Sequence, residues 1–189
     1  MGGFAAITFS KILHASNIIA ISPQYAIDEP SDQRWALQAK ATTWNYRMSS
    51  DKISAASMYL IYDDKIPLEV QQINKIVTAA SGQVDEIYHL KFPLSGHPTG
   101  TFLAQVGLMS HVVSEVLDKR ISKAPQLGWQ QIRRSSAYFL SLSQIAKSKG
   151  RARLEILALQ RAVDLRPDHA LARDLLHDAK RRTINSAGQ

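Results

Sequence analysis

Residues 57–92 read SMYLIYDDKIPLEVQQINKIVTAASGQVDEIYHLKF, and the order of patterns in them decides the fold. SMYLIY (57–62) is an unbroken apolar run, as expected of a strand covered on both faces. Asp63 and Asp64 end it. Pro67 suits the first turn of a helix, and Gly82 suits its end. Between them Val70, Ile73, Ile76, Val77 and Ala80 recur on one face. VDEIYHLKF (84–92) returns to strand patterning with more polar residues, which predicts a sheet edge. Strand, helix and strand joined this closely read as a right-handed crossover between parallel strands.

The same alternation extends outward. NIIAIS (17–22) is a further apolar strand, preceded by a helix over 3–14. A helix running to about Tyr46 follows it, with Ser31 or Asp32 as N-cap. Downstream, TGTFLAQVGLMSHVVSEVL (99–117) reads as one helix with Phe102, Val106, Met109, Val113, Val116 and Leu117 on its core face. Helices alternating with about three strands predict the α/β class with a parallel sheet. NIIAIS is expected to lack a strand on one side and to promote self-association through that exposed sheet edge.

Ser122, Pro125 and Gly128 then interrupt the pattern, and the chain becomes all helical. Residues 129–149, 151–165 and 168–182 read as three helices, broken at Gly150 and Pro167. The expected division is a first domain over 1–120 and a helical segment over 129–189. Charge divides at nearly the same place. Residues 1–118 carry 8 Lys/Arg and 11 Asp/Glu, a balance of −3, whereas residues 119–189 carry 15 and 5, a balance of +10. The basic charges are spread over helix faces without a nucleic-acid reader motif, so a solvated surface is the expected reading. There is no cysteine, which excludes disulfides, thiolate metal sites and a cysteine nucleophile. No apolar run approaches the ~18 residues of a membrane span, and the N-terminus lacks the pattern of a signal peptide. The expected location is cytoplasmic.

Three features carry chemistry. Met1-Gly2-Gly3 opens a helix, Asp63-Asp64 closes a strand four residues before Pro67, and Gly96-His97 follows the last strand. Together they resemble the C-terminal half of an α/β-hydrolase, whose triad runs serine, acid, histidine along the chain. The resemblance implies that Met1 directly follows the serine of a G-x-S-x-G elbow, so the nucleophile itself falls ahead of Met1. It implies Asp63 as the acid, with Asp64 in reserve, His97 as general base, and the Met1 backbone N–H as an oxyanion donor. It implies an esterase or acyl-hydrolase type of protein that is incomplete relative to that fold and inactive alone. Asp63 also reads as a turn former or N-cap, and His97 as a plain loop histidine. No cofactor or metal is implied. His14, His89, His111, His169 and His177 have no acid partners at ligand spacing. Trp35, Trp44 and Tyr46 lie between the first two strands, where packing is the expected role over a lid or pocket.

The helical segment resembles a tetratricopeptide repeat. Phe139 and Leu142 fall at packing positions of its first helix, and Leu159 and Ala162 at those of the second. Ser143 and Glu155 depart from the pattern, and a generic helical hairpin is the alternative. One repeat cannot bury its own face, so it would dock on the α/β layer or on a protein partner. A non-catalytic interaction module is accordingly the second functional reading.

Overall fold

The computed structural model describes residues 2–26, 28, 36–41, 46–97 and 99–187. The described elements are α1 (Gly2–Thr8), β1 (Asn17–Ile21), α2 (Ala36–Ala41), a 3₁₀ turn (Ser50–Lys52), β2 (Ala55–Tyr62), α3 (Pro67–Ala80) and β3 (Val84–Lys91), then α4 (Thr99–Gln105), α5 (Met109–Leu117), α6 (Trp129–Ile132), α7 (Ser136–Ser148), α8 (Ala152–Leu165) and α9 (Ala170–Ala187). They divide into two compact units. One comprises Met1–Pro93, His97–Gly100 and Met109–Pro125; the other comprises Leu94–Gly96, Thr101–Leu108 and Gln126–Gln189.

The first unit is α/β, built on a parallel sheet in the order β1-β2-β3. Ile19, Tyr59 and Tyr88 lie side by side across it. The central strand has the longest apolar run, and all but one of its residues are buried. Phe4 and Ile7 of α1, Ile18 and Ala20 of β1, Met58 and Leu60 of β2, and Ile73, Ile76 and Ala80 of α3 form one core. Fully burying a side chain of this kind contributes about 1.5–3 kcal/mol. Gly3 is demanded by packing: a Cβ there would stand 3.0 Å from the Cα of Pro23, just past the end of β1. Gly2 meets no such crowding.

Helix lengths depart from the sequence reading. The helix expected over 3–14 ends at Thr8, because Ser10 turns inward. Its hydroxyl donates to Ile7 O at 2.8 Å and accepts from Ser54 N–H at 3.1 Å. The helix expected over 99–117 is two. Gly107, at φ +74°, closes α4: Leu108 N–H donates to Leu103 O and Gly107 N–H to Ala104 O, a Schellman closure that needs a left-handed residue. Val112 is then buried in place of the expected Val113, and Leu117 is 60% exposed. The N-cap expected at Ser31 or Asp32 lies outside the described residues, as do Trp35 and Trp44.

In the second unit, the helix expected over 129–149 is interrupted before Ser136. Ser135 is the N-cap of α7 and accepts from Tyr138 N–H at 3.1 Å. Gln105 Oε1 accepts from the Ser135 hydroxyl and from Ala137 N–H, while Gln105 Nε2 donates to Ser136 Oγ. Phe139, Ala162 and Ala172 make one core of α7, α8 and α9, and Leu159, Leu176 and Ala179 another. Glu155, nearly buried, accepts from Arg182 at 2.6 Å. No helix among the described residues is long and apolar enough to cross a membrane.

Candidate functional site

In the first unit the loops that leave the carboxyl ends of the strands are gathered by the first two turns of α3. A crossover helix runs back against its strands, so its N-terminal turns stand where those loops emerge. Gln72, 1% exposed, accepts from Tyr25 N–H at 2.8 Å and from Ala26 N–H at 3.4 Å, holding the loop after β1. Glu69, in the first turn, accepts from Asp63 N–H through Oε2 at 3.3 Å, holding the loop after β2. The other oxygen of Glu69 stands 2.6 Å from Nδ1 of His97, in the loop after β3. A fourth bond joins loops to each other: Thr99 N–H donates to Ser22 Oγ at 2.9 Å. Ser22 sits at φ +43°, a conformation uncommon for a residue with a side chain.

The central contact is the Glu69–His97 pair. The Glu69 side chain is 4% exposed and that of His97 is 21% exposed. A carboxylate only accepts hydrogen bonds, so Nδ1 carries the proton and Nε2 holds the lone pair of the neutral ring. That is the arrangement a general base requires. Burial of the acid keeps its oxygens from water, so the ring orientation is set by protein groups.

Asp63 is fully buried at the end of β2. One of its carboxylate oxygens accepts from Lys65 N–H at 2.9 Å, the bond of a turn former. Asp63 and His97 therefore both bond the Glu69 carboxylate, one through its backbone and the other through its ring. Asp64 faces Lys65 at 3.4 Å and is partly exposed, with its Oδ1 buried and unpartnered. In the loop after β1, Gln24 is buried with an unpartnered Nε2, a donor of the kind that a bound oxygen satisfies. Met1 lies outside the described residues. Tyr46 is 56% exposed and meets Phe9 edge-on.

The acid at His97 is Glu69 of α3, which the sequence reading does not single out; it places the acid at the strand end, in Asp63 or Asp64. The readable signal was its place on the stripe of Ile73, Ile76 and Ala80: a carboxylate on a core-facing position must have partners. Of the other histidines, His89 stands 3.2 Å from the Tyr62 hydroxyl, and burial holds its pKa below the usual value, with Lys91 adding to the effect. Burial also raises the pKa of Tyr62, helped by the charge of Asp64. Among the described residues no cluster of three His, Asp or Glu side chains stands ready for a metal ion.

No protein-family model, curated protein or solved structure matches this chain.

Proposed function

We propose that this chain carries the acid–histidine half of a serine-hydrolase-like site of the esterase or acyl-hydrolase type. The observation that carries the reading is the 2.6 Å contact between His97 Nδ1 and buried Glu69, at the carboxyl end of a parallel sheet. Ligands of open α/β sheets bind at that end. His97 is the general base, and a carboxylate at Nδ1 orients it and stabilises its charged form. Glu69 takes that role, beside Asp63, the acid expected from the sequence. Gly3 against Pro23 supports a start of α1 beside the same edge. The sheet and helices of the first unit are then part of an α/β-hydrolase layer, and α7 to α9 a tetratricopeptide-like segment. The nucleophile that such a pair serves is a serine, which the resemblance places at the turn into α1. Absence of cysteine suits a reducing, cytoplasmic setting.

The test supplies the nucleophile. A segment ending in G-x-S is fused ahead of Met1, and hydrolysis of p-nitrophenyl acetate is followed. Activity is expected, and His97→Ala should lower it on the order of 10²–10⁴-fold. Glu69→Gln should lower it more than Asp63→Asn. The reverse order returns the acid's role to Asp63, and a folded fusion indifferent to His97→Ala ends the catalytic reading.

One observation favours the second reading, a non-catalytic module that binds a protein through its C-terminal helices. Trp129, Leu157 and Leu171 are each more than half exposed on the second unit. Under that reading Leu157→Glu abolishes complex formation without altering thermal stability.

A further inference from the structure

β3 is an outer strand of the sheet. Among the described residues it pairs with β2 and with no other strand. At eight residues it is longer than the usual ~5–6. A long open edge either carries charges that repel other strands or receives a strand. The register of its side chains distinguishes the two.

Phe92 N–H donates to Tyr62 O at 2.8 Å. With period two, the backbone groups of Leu90, Tyr88 and Glu86 also face β2, and those of Asp85, Ile87, His89 and Lys91 face outward. Opposed residues in an antiparallel pair either both exchange hydrogen bonds or both do not. A second copy of β3 can therefore oppose outward-facing residues only with outward-facing residues, which removes every other register. Among those left, the register centred on Tyr88 sets Asp85 opposite Lys91 of the second copy and Ile87 opposite its His89. The two-fold axis repeats both pairs. Registers centred on Ile87 or His89 leave Lys91 opposite Gln83 or Ile87, with no charge to meet. Asp85 and Lys91 are both exposed, and among the described residues neither belongs to an ion pair. The edge is also held in shape: Tyr88 stacks on Tyr59 at 4.8 Å, and its hydroxyl donates to Glu86 at 2.7 Å.

We propose that this chain self-associates through β3, with two copies pairing antiparallel about Tyr88 so that one sheet runs through both. Guard charges would oppose like with like or meet nothing. Here the charges at matched positions have opposite sign, so the edge is complementary to itself. The proposal is independent of any hydrolytic activity.

Sedimentation velocity of the full chain over a dilution series should show a monomer–dimer equilibrium. Asp85→Lys makes two like-charge pairs across the axis and should raise the dimer dissociation constant about tenfold or more, as should Lys91→Asp. The double exchange D85K/K91D should restore the original value. Both positions are exposed, so circular dichroism, and melting at a dilution where parent and variants are monomeric, should be unchanged. Because the chain has no cysteine, Tyr88→Cys places a single thiol at the axis, in a pair whose Cα atoms stand ~4.5 Å apart, within disulfide reach. Oxidation should link that variant into dimers and leave Gln83→Cys unlinked. A monomer at every concentration, a dimer indifferent to the charge reversals, or a double exchange that does not restore association overturns the proposal.

Discussion

The two halves of α3 bury opposite kinds of side chain to the same depth. Glu69 and Gln72 are 3% and 1% exposed, and Ile73 and Ile76 are 1% and 0%. The apolar half closes the core beneath the sheet. The polar half bonds the loops at the strand ends. Each polar group is buried with its acceptors engaged: both oxygens of Glu69 have donors, and one oxygen of Gln72 serves two backbone N–H groups. The difference teaches where to look along a crossover helix. Turns beside the strand middles need only be apolar, whereas turns beside the strand ends must satisfy loop backbone, and a site can be assembled there.

The largest expected effect lies in the apolar half. Ile76→Ala opens a cavity among Leu60, Met58 and the other core residues, and should cost about 2–5 kcal/mol of unfolding free energy in a urea titration. His97 and its loop should keep their environment in the NMR spectrum of the folded fraction. If the loop resonances move as much as those of the core, the two halves are not separate.

Glu69→Gln tests the other half, with a smaller loss. A carboxylate accepts on both oxygens, but an amide accepts on its oxygen and donates from its nitrogen. The substituted amide either accepts from His97 and sets its nitrogen against Asp63 N–H, a donor against a donor, or accepts from Asp63 N–H and forces the His97 proton from Nδ1 to Nε2. Leaving one buried group unpartnered should cost about 1–3 kcal/mol, read in the same titration, with spectral changes confined to the loops after β2 and β3. Equal changes in the core of the sheet would contradict the division.

How much of this was legible follows the same line. The strands and α3 could be read because apolar runs, Pro67 and Gly82 are local signals, and the structure bears them out within a few residues. The position of His97 in the loop after the last strand was readable in the same way. The early end of α1 was not, because it depends on Ser54 meeting the Ser10 hydroxyl across 44 residues. Gly107 did mark a break, but apolar spacing on both sides of it imitated one continuous helix. Glu69 was missed for a related reason. Counting only apolar residues on α3 traced its core face and passed over the two polar residues that share it.

The smallest expected effect concerns His89, a partly buried polar group outside α3. In the neutral ring, with Nδ1 as acceptor, the Tyr62 hydroxyl donates to it across 3.2 Å. Burial lowers the pKa of His89 in the folded chain, and Lys91 lowers it further. An unfolded histidine takes up its proton near pH 6.5. Above that pH both states are neutral and His89 contributes no pH dependence. As pH falls below it, the unfolded chain binds the proton first, so stability declines until the folded ring is protonated too. His89→Gln keeps a polar side chain without a titrating one. The urea midpoint of the variant should therefore fall less than that of the parent chain between pH 7.5 and pH 5, a range that crosses the unfolded value of about 6.5. Parallel declines in the two proteins would show that His89 titrates alike folded and unfolded. Its bond to Tyr62 would then set ring orientation without biasing charge, unlike the partnered polar groups of α3.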